Sequence, residues 1–293
     1  MKDKRRALGF VGIGKDPDPH AATRHDAYFA DAIDARVIPR RNPGPRPQTR
    51  QERQVVADSV AARLLEVYGD RAAAIGIYGS TARQEDGDFS DLELICIVAE
   101  GAEADYEWLH DGLKIEVNIA NWATIMKRAA EVDDNWSQTH GAYVHVRALH
   151  DPQGLFPKLR RIATSPSPES VTRAMRGIIV GDMLDRLTKV RNAELSAPSS
   201  PIPELAVLMA QYGAWLVGLA NRHLYGGSQT VLPRALLLPD RPKGFDELCR
   251  MVLSGDMRDF PTLATAIERF WDGVVDWATR HGIPVEQAAP IPF

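Results

Sequence analysis

Cysteine is scarce in this sequence, and long hydrophobic runs are absent from it. Two cysteines, Cys96 and Cys249, occur among 293 residues. Two are too few for a disulfide framework and have no zinc-site spacing, so we expect both to be reduced and buried in a cytoplasmic protein. The most apolar stretch, 205–220, contains Gln211 and two glycines and falls short of the roughly 20 residues that cross a bilayer. We interpret it as a buried helix and expect no association with membranes.

The sequence also lacks an excess of positive charge. It has 35 basic and 39 acidic side chains, which gives a net charge of -4. Nucleic-acid binding needs a basic surface, so this composition predicts no nucleic-acid partner. Basic residues precede a short apolar run at 7–13, but charged residues follow it, and we do not interpret this segment as a signal peptide.

The pattern along the chain predicts an α+β protein with two domains after an N-terminal extension. Glycine and proline clusters mark residues 1–46 as an extension or linker. Apolar residues then recur at helical spacing from Thr49 to Tyr68. We predict a catalytic domain at 47–160 with a mixed sheet and flanking helices, and a helical domain for substrate binding and dimerisation at 161–293, with the boundary near 155–168. The predicted strands are 73–78, 92–98, 113–119 and 143–149, and the predicted later helices are 122–132, 169–192, 203–225, 244–255 and 262–281.

Two short motifs in the first domain indicate phosphate and metal chemistry. Gly79-Ser80 directly follows a predicted strand, where the glycine permits close backbone approach and the serine can hold a phosphate oxygen. After ten intervening residues, Asp91 and Glu93 lie two apart on the next strand and share one face. Glu116 occupies the corresponding face of a later strand. Neighbouring carboxylates repel one another unless a cation neutralises them, and Mg²⁺ with carboxylate and phosphate oxygens is the usual solution.

An Asp-x-Glu pair on a strand is, by itself, most often part of a solvated sheet face. The combination with the Gly-Ser turn, the polar interval and Glu116 favours a metal site. Arg83 has a similar pair of interpretations, as a solvated surface arginine or as a planar donor that clamps phosphate charge.

These segments resemble the nucleotidyltransferase superfamily and, specifically, the aminoglycoside 4'-O-nucleotidyltransferases of the kanamycin nucleotidyltransferase type. The resemblance runs from about residue 47 to the end of the chain. The matching segments are Gly79-Ser80-Thr81-Ala82-Arg83, Phe89-Ser90-Asp91-Leu92-Glu93, Lys114-Ile115-Glu116-Val117-Asn118, Trp136 with Thr139-His140-Gly141, Lys189 with Arg191-Asn192, Phe270-Trp271, Arg280-His281-Gly282 and Ile291-Pro292-Phe293.

The resemblance implies transfer of AMP from ATP to the 4'-hydroxyl of a kanamycin-like antibiotic, with release of pyrophosphate. It also implies a homodimer with active sites at the subunit interface. Its implied residue roles are Mg²⁺ ligands for Asp91, Glu93 and Glu116, nucleotide contacts for Gly79, Ser80, Arg83, Ser90 and Lys189, and catalysis for Asp185 and Lys189.

The residue that the resemblance assigns as general base departs from the family pattern. Asp182, Asp185 and Lys189 lie on one face of a predicted helix, and Asp185 aligns with the family's glutamate. An aspartate is shorter by one methylene, so either the helix approaches more closely or Asp182 contributes. Without the resemblance, Asp185 and Lys189 would be interpreted as an ordinary surface pair four residues apart.

An acceptor with several positive charges needs an acidic pocket. Glu103, Asp105, Glu107 and Asp111, between the second and third predicted strands, are candidates, although they would also fit a solvated loop. Two other functions remain open: a nucleotidyltransferase acting on RNA or protein, and a non-catalytic nucleotide-binding module. The sequence lacks the stacking aromatic pattern typical of RNA binding, and its three carboxylates are intact.

Overall fold

A computed structural model describes residues 44–101, 103–195 and 201–286. The predicted extension as far as residue 43 and the family match at 291–293 lie outside these residues. The described chain forms two compact units. The sheet unit comprises 44–130 and 142–165, and the helical unit comprises 131–141 and 166–286. Residues 131–141, which we assigned to the first domain, therefore cluster with the helical unit.

The first helix, α1 (Arg50–Tyr68), has a start and an end that its sequence specifies. The Thr49 hydroxyl accepts the backbone N–H of Glu52, and the Glu52 carboxylate accepts the backbone N–H of Thr49 at 2.7 Å. This reciprocal pair satisfies two N–H groups that the first turn leaves without helical partners. Gly69, with φ +53°, ends the helix in a conformation that glycine adopts at little cost. The predicted helix is confirmed.

A five-stranded mixed sheet forms the centre of the sheet unit. Its order is β3-β4-β2-β1-β5, and every neighbouring pair is antiparallel except β2 and β4, which are parallel. The strands are β1 (Ala72–Tyr78), β2 (Leu92–Val98), β3 (Ala104–His110), β4 (Leu113–Asn121) and β5 (Arg147–His150).

Helices cover both faces of this sheet. Helix α1 packs on the face that includes Ile77, Leu94 and Val117. Helices α3 and α6 pack on the face that includes Ile95 and Ile97. After α1 and a 3₁₀ turn at Gly69–Arg71, the helices up to residue 163 are α2 (Gly79–Arg83), α3 (Trp122–Ala130), α4 (Trp136–Thr139), α5 (Gly141–Val144) and α6 (Leu155–Ala163).

Two parts of the sequence prediction for the sheet unit were wrong. The acidic segment between the second and third predicted strands is not a loop but the edge strand β3. The strand predicted at 143–149 is α5 followed by the shorter strand β5. The predicted boundary region near 155–168 contains helix α6, whose Leu155, Phe156 and Leu159 are buried, and the two units divide within this region, between residues 165 and 166.

The helical unit has a single core formed by its long helices. The predicted helices after residue 168 are confirmed, but the segment 169–192 is not one uniform α-helix, because a π-helical stretch interrupts it. The elements are α7 (Pro168–Arg176), the π-helix Gly177–Met183, α8 (Leu184–Leu195), α9 (Ile202–Ala220), a 3₁₀ turn at Ser228–Thr230, α10 (Val231–Ala235), α11 (Phe245–Ser254) and α12 (Phe260–Arg280).

Helix α9 is the one described helix long and apolar enough to cross a membrane. Because 61% of its apolar window is buried within the protein, it is better explained as a core helix, as the sequence analysis predicted. The two cysteines are also buried and free, as predicted.

Candidate active site

Four polar side chains form a row across four strands of the sheet. Tyr78 on β1 lies opposite Glu93 on β2, which lies opposite Glu116 on β4, which lies opposite Glu107 on β3. Residues directly opposite one another in a sheet point to the same face, and adjacent strands are about 4.8 Å apart. The fold therefore brings two of the three predicted metal carboxylates side by side, and Asp91 directly precedes β2.

Gly79 lies against the carboxylate of Glu93. A Cβ atom at this position would overlap Oε2 of Glu93, and the glycine has φ +70°. Both the contact and the left-handed backbone require glycine. The sequence analysis explained this glycine by the close approach of a phosphate group. The structure adds a second reason, which is the contact with the Glu93 carboxylate.

The Glu93 carboxyl group is held in an environment that disfavours its charge. Burial, followed by the negative charges of Asp91 and Glu116, raises the pKa of Glu93 to about 7, although Arg83 and Lys114 act in the opposite direction. The fold therefore gathers negative charge that the neighbouring protein cations do not fully compensate.

This chemistry fits a divalent cation. Among the residues that the structure describes, no three acidic, histidine or cysteine side chains are close enough to ligate one ion together. Magnesium does not need such a cage, because it is ordinarily held by one or two carboxylates together with water and the phosphates of a substrate. Asp91 and Glu93 beside the Gly79 turn match that requirement.

Glu116 makes contacts that the sequence analysis missed. The Tyr78 hydroxyl donates a hydrogen bond to Oε1 of Glu116 at 2.9 Å. Nζ of Lys114 lies 3.7 Å from Oε2 of the same carboxylate. Burial, followed by the charge of Glu116, raises the pKa of Tyr78 far above its usual value, so the hydroxyl remains a protonated donor.

Two of the predicted phosphate contacts also have partners within the protein. Nε of Arg83 donates to Glu85 at 2.9 Å, and the Arg83 side chain is only 12% exposed. The Ser90 hydroxyl oxygen accepts the backbone N–H of Gly87 at 3.0 Å and closes a turn. Arg83 is therefore not the solvated surface arginine of the alternative interpretation.

The segment between helix α2 and Asp91 is anchored by a buried ion pair. Asp86 accepts hydrogen bonds from Arg53 at 2.6 Å and from Arg50 at 2.9 Å. The side chains of Arg53 and Asp86 are 2% and 0% exposed. Although burial opposes ionisation, the hydrogen bonds from Arg53 lower the pKa of Asp86. This network fixes the turn that carries both motifs, and the separation of 33 residues hid the pairing from sequence inspection.

Comparisons with known proteins identify relatives of this chain. Residues 153–284 match the family model "KNTase C-terminal domain". An aminoglycoside nucleotidyltransferase (4') from Staphylococcus aureus is 36% identical to this chain over 251 residues, covering 85% of this chain and 99% of the relative. A protein of the same name from a Bacillus species matches at the same identity and coverage.

The chain belongs to the aminoglycoside nucleotidyltransferase (4') family. A solved structure of a nucleotidyltransferase-like protein from Exiguobacterium sibiricum covers 76% of this chain and 74% of its own, with 11% identity and a TM-score of 0.47, a likeness too distant to assign the fold.

In this member of the aminoglycoside nucleotidyltransferase (4') family, the predicted base and lysine lie in the helical unit. Asp185 and Lys189, on α8, form an ion pair at 2.7 Å, and Arg186 also contacts the Asp185 carboxylate. Asp185 is about half exposed, and the hydrogen bond from Lys189 lowers its pKa. Asp182 lies in the π-helix, where burial and then Asp134 raise its pKa.

The candidate acidic pocket residues lie on strand β3 and directly before and after it. Glu103 pairs with Arg128 at 2.9 Å, Glu107 with Lys114 at 3.3 Å, and Asp111 with Arg46 at 3.4 Å. Asp105 instead accepts a hydrogen bond from the side-chain amide of Asn118, and burial raises its pKa. Asp105 and Glu107 share the face of the Glu93 row, because each lies opposite a residue of β4 on that face.

Proposed function

We propose that this enzyme transfers AMP from ATP to the 4'-hydroxyl of kanamycin-like aminoglycosides, with release of pyrophosphate. The observation that carries the proposal is the row of carboxylates beside the Gly79 turn, in a chain that belongs to this family. A carboxyl group such as that of Glu93, whose pKa is raised by burial and by neighbouring negative charges, is typical of functional sites.

In this proposal, Asp91 and Glu93 hold Mg²⁺ together with oxygens of the triphosphate, and Glu116 completes the site when the carboxylates close on the bound ion. The metal would neutralise charge on the triphosphate and on the transferring phosphoryl group. Gly79 and Ser80 hold phosphate oxygens at the turn, together with Ser90. Arg83, partly neutralised by Glu85, places a planar donor beside them.

The acceptor hydroxyl needs a group that takes its proton, and we assign this role to Asp185. Lys189, which is already 2.7 Å from Asp185, would contact the α-phosphate. The ion pair keeps Asp185 ionised and therefore able to accept a proton. Asp182 remains the alternative base, because its raised pKa places it closer to the pH at which a general base works best.

The acidic row extends beyond the metal carboxylates and would bind the amino groups of the acceptor. Asp105 and Glu107 are the best candidates of the four acidic residues. Glu103 and Asp111 are already paired with arginines and lie at the two ends of the edge strand. The Glu107 partner, Lys114, is 45% exposed and can move away when a polycation binds.

Pyrophosphate release tests the reaction and its regiochemistry together. The purified protein is incubated with Mg²⁺, ATP and either kanamycin or its 4'-deoxy derivative. We expect release with kanamycin alone, and no release with Asp91→Asn or Glu93→Gln. Equal release with the 4'-deoxy compound would move the reaction to another hydroxyl, such as the 4''-hydroxyl. Absence of release with every 4'-hydroxyl drug would favour a different acceptor.

Two conservative variants separate the candidate bases. If Asp185 is the base, Asp185→Asn should lower kcat by about 10²–10⁴-fold with little change in the KM for ATP, whereas Asp182→Asn should have a small effect. The reverse ranking would assign the base to Asp182. An effect of Asp185→Asn on ATP binding alone would remove Asp185 from proton transfer.

We further propose a homodimer in which each active site uses residues of both subunits. Mixing two inactive variants tests this, because Asp91→Asn and Asp185→Asn would damage different halves of a shared site. Mixed dimers would then contain one intact site, and activity should return after subunit exchange. Inactive mixtures of dimers that have exchanged subunits would contradict shared sites.

A further inference from the structure

Tyr78 makes a hydrogen bond that spans three strands of the sheet. The residue lies on β1, and its hydroxyl donates to Glu116 on β4 at 2.9 Å. Strand β2 lies between the two, with Glu93 opposite both residues. Two strand spacings amount to about 10 Å, so the tyrosine extends across the position of Glu93 to reach its acceptor.

The surroundings of Tyr78 restrict what its hydroxyl can do. The residue is 5% exposed, and its ring belongs to an apolar cluster that includes Ile95 and Phe156. A buried tyrosine places its ring in apolar contacts and needs a partner for its O–H group. The carboxylate of Glu116 supplies that partner. The hydrogen bond is therefore part of the protein's buried structure, next to the candidate active site.

The two oxygens of Glu116 are held unequally. Oε1 accepts from the buried Tyr78, whereas Oε2 faces Lys114 at 3.7 Å, beyond hydrogen-bond distance. Lys114 is 45% exposed and also pairs with Glu107. Oε1 therefore has a fixed hydrogen-bond donor within the protein. Oε2 is the oxygen at which a bound cation can replace Lys114.

We propose that Tyr78 is a positioning residue for the metal site, which orients Glu116 so that Oε2 is presented to the bound cation. This inference rests on the proposed metal role of Glu116. Tyr78 does not touch substrate or metal in this scheme and acts only through the carboxylate. Groups that hydrogen-bond to metal-ligating side chains fix their orientation, and their loss typically lowers metal affinity or activity by about 10–100-fold.

Tyr78→Phe is the appropriate variant, because it removes the hydroxyl and keeps the ring in its apolar contacts. Tyr225→Phe is the matched control. The hydroxyl of Tyr225 is also buried, but it donates to the backbone carbonyl of Ala214 at 2.6 Å in the helical unit. A general effect of removing a buried tyrosine hydroxyl would therefore appear in both variants.

Mn²⁺ binding to the metal-free protein, measured by calorimetry with no turnover, tests the inference. The variants are Tyr78→Phe, Glu116→Gln, the double variant of these two, and Tyr225→Phe. We expect Tyr78→Phe to weaken Mn²⁺ binding by about 10-fold or more. Glu116→Gln should weaken it at least as much, and Tyr225→Phe should match the wild type. The double variant should bind like Glu116→Gln alone, because Tyr78 then has no ligand to orient.

The outcomes separate this inference from the proposed function. If Glu116→Gln weakens Mn²⁺ binding and Tyr78→Phe does not, the positioning role is wrong and the metal site stands. If neither variant changes Mn²⁺ binding, Glu116 is not a ligand, and the positioning role fails with it. Equal losses in Tyr78→Phe and Tyr225→Phe, or a further loss in the double variant, would indicate a general structural effect and would overturn the inference.

Discussion

Glu93→Gln should abolish transfer and yet stabilise the metal-free protein at neutral and alkaline pH. The substitution keeps the shape of the side chain that lies against Gly79. It removes a negative charge from a position where burial and the charges of Asp91 and Glu116 disfavour ionisation. The negative charge of Glu93, which would bind the proposed metal, therefore destabilises the folded protein when no metal is present.

The size of this effect follows from the pKa of Glu93. The folded-state pKa of about 7 is above the ordinary value of 4.5, so folding favours the protonated form. The stabilising contribution is fully present below pH 4.5 and is lost as the pH rises through about 7. Because each pKa unit corresponds to about 1.4 kcal/mol, the loss amounts to about 3 kcal/mol of unfolding free energy by pH 8.

Urea unfolding at several pH values between 4.5 and 8, in the presence of a chelator, measures this contribution. The wild type should lose stability across that range, and Glu93→Gln should lose about 3 kcal/mol less. Asp133, whose pKa burial and then Asp134 raise to about 6, titrates in the same window, so only the difference between variants reports Glu93. Glu107→Gln is the control, because removing the charge of a 60% exposed side chain should change the unfolding free energy little.

Two results would refute this reasoning. One is a pH dependence of stability in Glu93→Gln that equals that of the wild type. The other is a metal-free Glu93→Gln protein that is less stable than the wild type at pH 8. Either result would mean that other interactions already compensate the charge of Glu93, and that the site does not hold an uncompensated negative charge.

Two further substitutions test how the turn is built. Gly79→Ala should lower activity by at least about 100-fold, because its Cβ would displace the Glu93 carboxylate and its backbone has φ +70°. Gly87→Ala, which has open space around its Cβ, should retain activity, and equal losses of activity in the two variants would contradict this explanation. Arg53→Met should destabilise the protein by about 3–5 kcal/mol in urea unfolding, because it leaves the buried Asp86 carboxylate without its main partner. Arg50→Ala, at a 58% exposed side chain, should cost much less, and similar losses of stability in the two variants would show that burial does not decide the effect.

Much of the fold could be predicted because its signals are local. Thr49 and Glu52 specify the start of α1, and Gly69 specifies its end, within one or two turns of helix. The long helices of the second half have apolar periodicity over many residues. Strand β2 is apolar through nearly its whole length and is buried from Leu94 onwards. Patterns of this kind depend on neighbours in the chain and require no knowledge of distant contacts.

The errors occur where a local pattern is weak or has two interpretations. Strand β3 alternates exposed acidic residues with the partly buried Tyr106 and Trp108, as expected of an edge strand. The alternation of polar and apolar residues along this segment is visible in the sequence, but its acidic residues favoured interpretation as a loop. The π-helix Gly177–Met183 leaves the apolar spacing close to helical, so periodicity alone does not distinguish it from an α-helix.

The sequence by itself determined the composition of the candidate site and the family to which the chain belongs. Gly79, Asp91, Glu93 and Glu116 were identifiable because strand spacing and motif residues are properties of the chain. Only the tertiary structure decided which groups contact them. The hydrogen bond from Tyr78 to Glu116 and the ion pair of Arg53 with Asp86 join residues 38 and 33 positions apart. Such contacts depend on strand order and on helix packing, which no local pattern specifies.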